Sequence, residues 1–184
     1  PHPGRLAWVR FGSAIRQGGS DISPSGKLEV INDDELATIE AGWRERVGRD
    51  GRIEFGAWHS WWKDMQSDLL EPDGRFETAN VGNAVIYGFE ASADLSVAQG
   101  WRLQAGGNWM HARIESGKLG IDVEDSRLPA IPAYTLRAAL QHDFAIGRAD
   151  ASFRLQLRYV GPSRLSFQPE LDRLDILARH RFDA

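Results

Sequence analysis

The chain has 184 residues, enough for one domain with a sizeable core or for about eight membrane-crossing strands of roughly 9–11 residues each. Its 22 Lys and Arg residues against 26 Asp and Glu residues give a formal net charge of −4, which offers no basic surface for nucleic acid. Cysteine is absent, so disulfides, zinc–thiolate sites and thiol nucleophiles are excluded. Pro1-His2-Pro3-Gly4 has no features of a secretory signal, so we expect the true N-terminus to lie elsewhere.

Alternation of apolar and polar residues with a period of two recurs along the chain and predicts eight β-strands. In chain order they are Ala7–Phe11, Ala37–Arg44, Arg52–Gln66, Val85–Leu95, Arg102–Asn108, Tyr134–Phe144, Ala151–Gly161 and Leu174–Phe182. The third strand is the least regular, because Trp58, Trp61 and Trp62 do not share one parity.

The connections between the predicted strands alternate in length. Short turns are predicted at Val47–Gly51, Ala98–Gly100 and Ile146–Asp150. Longer loops are predicted at Gln17–Glu35, Ser67–Thr78, Glu115–Pro132 and Gly161–Arg173. Outer-membrane barrels keep tight turns on the periplasmic side and longer loops outside, whereas a soluble Greek-key sandwich has no reason to keep this rhythm.

The polar parity of the predicted strands is too charged for a dry core. It carries Arg102, Gln104, Arg137, Gln141, Asp143, Arg154, Gln156, Arg158, Arg179 and Arg181. This parity either lines the hydrated interior of a wide barrel or forms the solvated outside of a soluble sheet. The soluble alternative needs a cover for the apolar parity, and the sequence contains no amphipathic helix to supply one. We therefore predict an all-β, antiparallel transmembrane β-barrel in which lipid covers the strand face that carries the apolar residues.

Tryptophan is abundant, with seven residues, and several lie near the ends of predicted strands. They include Trp43, Trp58, Trp61, Trp62, Trp101 and Trp109. In a barrel such side chains form girdles at the two membrane–water interfaces. The alternative is ordinary packing within a sheet, since aromatic residues favour strands in any case.

No residue pattern predicts catalysis, a cofactor or a metal site. The histidines never occur at metal-ligand spacing: they are His2, His59, His111, His142 and His180. Asp122, Glu124 and Asp125 could bind calcium or a cationic ligand, but a solvated loop is the preferred interpretation. No nucleophile elbow, phosphate-binding glycine loop or zinc-protease motif occurs. Ligand contacts, if any, are expected from the four long loops, and the sequence singles out no individual binding residue.

Several motifs resemble the barrels of TonB-dependent receptors, in the order found in that family. Residues Asn80–Glu90 (NVGNAVIYGFE) resemble its Asn-x-Gly-x-Ala stretch ending in Gly-aromatic-Glu, which is the most specific match. Leu36–Trp43 and Trp62–Gln66 (WKDMQ) are similar to a Tyr-Glu-x-Gly strand and an aromatic-Lys-Asp-Ile-Gln strand ending. Phe11–Gly19 resembles a strand exit, and Leu128–Pro132 precedes a Leu-rich strand. Leu36, Ile39 and Glu40 stand where the family usually has a Pro-Glu…Tyr-Glu pattern, so this strand does not indicate a subfamily.

The resemblance implies a roughly 22-stranded barrel whose lumen is closed by an N-terminal plug domain. Residues 1–184 would form a C-terminal part of that barrel, with the plug and the remaining strands absent. The end Arg181-Phe182-Asp183-Ala184 lacks the terminal aromatic of a completed strand, so truncation at both ends is predicted. The implied partners are outer-membrane lipid, a scarce nutrient such as a ferric siderophore, cobalamin or a glycan, and TonB acting through the missing plug.

The sequence is compatible with three alternative interpretations. The first is a complete eight-stranded outer-membrane barrel with a structural or adhesive role, which predicts that the first strand closes onto the last. The second is an outer-membrane enzyme on a small barrel, which the lack of a nucleophile constellation disfavours. The third is a soluble all-β binding module, which would purify from cytosol without detergent.

Overall fold

A computed structural model of the chain describes residues 4–23, 26–70, 74–117, 127–164, 167 and 179–183. Within these residues, eight strands form one antiparallel sheet and two further strands form a separate hairpin. No helix in this part of the chain is long and apolar enough to cross a membrane. The eight-stranded antiparallel sheet confirms the predicted all-β fold with eight principal strands.

The strands follow one another in the sheet in chain order, interrupted only by the hairpin. The sheet contains β1 (Arg5–Arg16), β4 (Asp34–Val47), β5 (Gly51–Leu70), β6 (Phe76–Ala98), β7 (Trp101–Gly117), β8 (Tyr134–Ile146), β9 (Ala149–Val160) and β10 (Arg179–Asp183). The hairpin consists of β2 (Gly19–Ile22) and β3 (Leu28–Ile31). β1 and β10 lie at opposite edges of the sheet, so its described part is open and does not close on itself.

The register between strands places the apolar residues of neighbouring strands opposite one another. Phe89 on β6 pairs with Ala57 on β5 and with Trp109 on β7, for example. The same parity continues across the sheet and forms its apolar face, which includes Val9, Phe11, Ile39, Trp43, Phe55, Trp61, Val85, Phe89, Leu103, Trp109, Leu136, Phe153 and Leu157. Most of these side chains are exposed, Val9 to 74% and Phe11 to 68%, so the described residues leave most of this face uncovered.

The register also shows on which face of the sheet each tryptophan of the irregular strand β5 lies. Trp61 pairs with Ala37 and Val85 on the apolar face, whereas Trp58 and Trp62 lie on the opposite, polar face. The prediction that Trp58 and Trp62 contribute to an interfacial girdle is therefore wrong. Trp62 instead packs against a buried cluster on the polar face, which explains why a large apolar ring occupies that parity.

Two of the predicted long loops are more ordered than the sequence suggested. β5 extends to Leu70 and β6 begins at Phe76, so most of Ser67–Thr78 is strand. The connection Gln17–Glu35 contains the β2–β3 hairpin. The three short turns are found as predicted, with Gly48, Gly100 and Gly147 at positive φ of 64°, 73° and 66°. Asp122, Glu124, Asp125 and the first part of the predicted strand Leu174–Phe182 lie outside the described residues.

The buried core lies at the long-loop end of β5–β7. It contains Met65, Leu69, Val81, Ala84, Ala112, Ile114, Leu128 and Phe167, with Ile114 at 0% and Val81 at 1% exposure. The segment before β8 reaches this core by joining the backbone of β7. The Leu128 amide donates to the Ala112 carbonyl at 3.0 Å, and the Met110 amide donates to the Ala133 carbonyl at 2.8 Å. Leu128, in the described residues 127–133 before β8, thus packs on the polar side of the sheet.

Candidate functional site

The polar face lines a concavity of about 1140 Å³ that extends across β4–β9. Its polar side chains include Arg44, Glu54, Glu90, Asp94, Arg102, Gln104, Arg137, Arg154, Gln156 and Arg158. This separation of a charged concave face from an apolar opposite face is the main feature that could act on a ligand. The surface presents ion pairs and amide groups without a catalytic constellation.

Ion pairs cross between neighbouring strands on the β1–β7 side of this polar face. Arg10 on β1 pairs with Glu40 on β4, and Arg44 on β4 pairs with Glu54 on β5, which also pairs with Arg52 of its own strand. Arg102 Nε and Nη2 bind the two carboxylate oxygens of Asp94 at 2.6 and 2.9 Å. These pairs are partly exposed, so each contributes at most about 1 kcal/mol to stability. Their main consequence is a hydrophilic wall whose charges are largely neutralised.

A series of side-chain hydrogen bonds continues the polar wall from β6 to β9. Gln104 Nε2 donates to Asp94 Oδ2 at 3.1 Å, and Arg154 Nη2 donates to Gln104 Oε1 at 2.8 Å. Arg154 Nη1 also donates to Gln141 Oε1 at 3.1 Å, and Gln141 in turn donates to Asp143 at 2.9 Å. Side chains on four consecutive strands are thereby held in one hydrogen-bonded array.

The long-loop end of β1, β4 and β5 is joined by a different network around the buried carboxylate of Asp34, which is 4% exposed. Arg16 Nε donates to Asp34 Oδ2 at 3.0 Å, and so does the backbone amide of Gln66. Arg16 also donates to the Gln66 carbonyl at 2.6 Å, and Gln66 Nε2 donates to the Asn32 carbonyl at 2.9 Å. The loop after β1 is thus attached to β5.

The motif Asn80–Ala84 completes this network from β6. Asn80 Nδ2 donates to the carbonyls of Asn32 at 3.0 Å and Asp64 at 2.7 Å, while Asn80 Oδ1 accepts from the Asn32 amide at 2.7 Å. Asn83 Oδ1 accepts from the Asp64 amide at 2.9 Å. The register between β5 and β6 shifts here, and Asp64 adopts a positive φ of 51°. The two asparagines therefore stabilise a β-bulge, and the family-like motifs at Phe11–Gly19, Trp62–Gln66 and Asn80–Glu90 meet at one place.

Replacement of Asp34 by alanine is expected to lower the free energy of unfolding by about 2 kcal/mol, since it removes hydrogen bonds to a charged acceptor and leaves the Gln66 amide unpaired. Asp34→Asn keeps an oxygen for that amide and should lose less. The matched control is Glu35→Ala, because Glu35 is the next residue and is exposed. Urea titration measures the three differences, and equal losses for Asp34→Ala and Glu35→Ala would contradict the role assigned to Asp34.

Aromatic and histidine side chains form rows on the apolar face. His59, Tyr87 and His111 stack across β5–β7, with ring centroids 5.7 and 4.6 Å apart. Near the short turns, the His142 ring lies 4.1 Å from Trp101 and 5.2 Å from Phe144. These three histidines are aromatic partners on the face away from the concavity. No group of three or more potential metal ligands occurs among the residues that the structure describes.

Comparisons with known proteins agree with this architecture. A sequence model of the family described as TonB dependent receptor-like, beta-barrel matches residues 35–183. No curated protein matches the sequence significantly. The fold is similar to that of the ferric yersiniabactin uptake receptor of Yersinia pestis, with a TM-score of 0.79 at 20% identity over 98% of this chain and 27% of that one.

Two further structures share the fold at lower identity. The ferric preacinetobactin receptor of Acinetobacter baumannii has a TM-score of 0.72 at 15% identity, covering 98% of this chain and 26% of that one. A copper transporter has a TM-score of 0.74 at 17% identity, covering 99% and 28%. The chain thus spans about a quarter of the length of these proteins. Together with the match over residues 35–183, the faces and the strand order identify the chain as a member of the TonB-dependent receptor β-barrel family of the bacterial outer membrane.

Proposed function

We propose that this chain is a wall segment of an outer-membrane receptor that takes up a scarce nutrient with energy delivered through TonB. The observation that carries the proposal is the division of the sheet into an exposed apolar face and a charged concave face. In an outer-membrane barrel the apolar face contacts lipid and the polar face lines the lumen.

The open edges of the sheet support a larger barrel than these strands alone can form. β1 and β10 each present an edge without a second neighbour among the described residues. Unpaired backbone groups cost several kcal/mol each in hydrocarbon, so strands that span a bilayer close into a barrel. We infer that further strands pair with these edges and that a plug domain encoded upstream fills the lumen.

Strand lengths support an orientation for the segment. β5 has 20 residues and β6 has 23, whereas a membrane crossing needs about 9–11. Since the short turns lie at one end, the excess length extends the sheet at the long-loop end. We propose that this end is extracellular and that the buried cluster of Ile114, Leu128 and Phe167 stabilises it.

A ferric siderophore is the proposed cargo class, because two of the structures with this fold are named as receptors for ferric compounds. Cobalamin and glycans remain within the proposal, and a copper transporter with the same fold shows that the fold admits other cargo. The alternative of a complete eight-stranded barrel requires β1 to pair with β10. In the described sheet those strands lie at opposite edges, so no observation favours that alternative.

Uptake in living cells tests the proposal. The gene containing this segment is deleted, and accumulation of labelled ferric siderophores, cobalamin and glycans is measured in cells with and without TonB. We expect one cargo class to require both the gene and TonB, with recovery when the gene is restored. Unchanged uptake of every class, together with a weakened envelope, would instead support a structural barrel.

A further inference from the structure

Arginines occupy adjacent register positions on three neighbouring strands of the polar face. Arg137 on β8 pairs directly with Arg158 on β9, and Arg158 pairs with Arg181 on β10. Directly opposed like charges destabilise a sheet, so this arrangement needs a compensating negative charge. Arg137 and Arg158 are exposed and lie close to the long-loop ends of their strands.

The compensating charge is missing from the described chain. Arg10, Arg16, Arg44, Arg52 and Arg102 on the same face each pair with a carboxylate. By contrast, Arg137 and Arg158 make no hydrogen bond or ion pair with any described residue. The nearest described acid on β8, Asp143, is bound by Gln141. Among the described residues, Arg137 and Arg158 on β8 and β9 thus form an adjacent pair of positive charges without a carboxylate partner. The opposed pair Arg46 and Arg52 on β4 and β5 differs, because Arg52 binds Glu54.

A glycine leaves room beside this row. Gly106 on β7 is the register partner of Arg137, and Arg137 Nε lies only 3.1 Å from the point that a Cβ of residue 106 would occupy. The Arg137 side chain thus reaches over β7 along the wall of the concavity, where a side chain at residue 106 would obstruct it. Both guanidinium groups line the concavity, where an incoming group can meet them.

We propose that Arg137 and Arg158 form an oxyanion-binding site on the lumen wall. A guanidinium binds a carboxylate or phosphate through two parallel hydrogen bonds, and two adjacent guanidinium groups favour a ligand with several such oxygens. The oxyanion belongs either to the cargo or to acidic side chains of the part of the receptor that fills the lumen. The inference rests on the proposed receptor function and narrows its cargo to anionic compounds in the first case.

The test uses the complete receptor, purified in detergent, with inorganic phosphate as the probe. The midpoint of thermal unfolding is measured against phosphate concentration, with sodium chloride at equal ionic strength as the reference. A ligand that binds only the folded state raises this midpoint as its concentration increases. The variants are R137Q/R158Q, the charge-conserving R137K/R158K, and R148Q, which removes an exposed arginine from a short turn outside the concavity.

We expect phosphate to stabilise the wild type and R148Q equally, and its apparent affinity to fall about tenfold or more in R137Q/R158Q. R137K/R158K should retain part of the effect, because lysine keeps the charge without the bidentate geometry. Where phosphate stabilises the wild type, an equal stabilisation of R137Q/R158Q would overturn the proposal.

Sensitivity of cells to a large antibiotic identifies the source of the oxyanion. If acidic side chains of the lumen-filling part occupy the site, phosphate has no specific effect on the wild type, and R137Q/R158Q becomes permeable to vancomycin. If the site is open to cargo, phosphate stabilises the wild type and permeability is unchanged. Absence of both effects overturns the oxyanion site while leaving TonB-dependent uptake intact. If the wild type shows no TonB-dependent uptake but is stabilised by phosphate, only the proposed receptor function is overturned.

Discussion

Replacing Gly82 with alanine is expected to destabilise the long-loop end of the barrel wall by about 3 kcal/mol or more. Gly82 adopts a φ of +137°, where a side chain is strained. Its added Cβ would lie 1.8 Å from the carbonyl oxygen of Ser116 and 2.9 Å from the Ser116 carbonyl carbon. Both are backbone atoms of β7, so relief of the clash requires β6 and β7 to separate.

Two other glycines provide graded controls. A Cβ at Gly42 would lie 2.2 Å from Cζ2 of Trp8, which is a side chain that can rotate away at lower cost. A Cβ at Gly12 would meet no atom within 4 Å, and Gly12 lacks a positive φ. We expect the loss of unfolding free energy to rank Gly82→Ala above Gly42→Ala, and Gly12→Ala to have little effect. The ranking is measured as the temperature at which heating abolishes the band of the folded, complete receptor on a denaturing gel. An equal temperature for all three variants would contradict it.

Strand positions and faces could be predicted because alternation records which side of a strand meets an apolar surrounding. In β9, Phe153, Leu155 and Leu157 alternate with Arg154 and Gln156, and the register places them on opposite faces. A one-residue error in pairing would exchange the faces, so the pattern constrains parity strongly. The short turns were predictable for a similar local reason, since a glycine such as Gly48 is needed at positive φ.

The parity of β5 could not be predicted because it depends on contacts distant in sequence. Trp62 is on the polar face, where Ile114 and loop residues such as Leu128 and Phe167 form an apolar core. The core exists only once the segment before β8 folds back over the sheet. A bulge at Asp64 then adds an irregularity within β5 that alternation alone does not reveal.

The sequence predicted the face on which each arginine of the row lies, but not that the arginines are adjacent. Arg137, Arg158 and Arg181 are recognisable as polar-face residues from their own strands. Their adjacency is a property of the register, which turns and bulges set separately for each strand pair. The same limit applies to the Asp34 network, whose members Arg16, Gln66 and Asn80 belong to three strands or their exits.

Phe89→Arg is expected to cost about 2–4 kcal/mol and to impair insertion into the outer membrane. Phe89 lies on the apolar face in the middle of β6 and is 47% exposed. Its ring lies 6.4 Å from Phe55 and 5.7 Å from Trp109, measured between centroids, so the row continues across three strands. An arginine there must place its charge in hydrocarbon or distort the bilayer to reach water.

Glu90→Arg is the matched control, because Glu90 is the next residue and lines the concavity. The same arginine at this position remains in water, so we expect normal insertion and a stability change within about 0.5 kcal/mol. Outer-membrane fractionation and the heat-modifiable mobility of the complete receptor measure both variants. Equal behaviour of the two would mean that the apolar face does not contact lipid. A defect confined to Phe89→Arg would instead show that adjacent residues of one strand face hydrocarbon and water, which is the condition for a barrel wall.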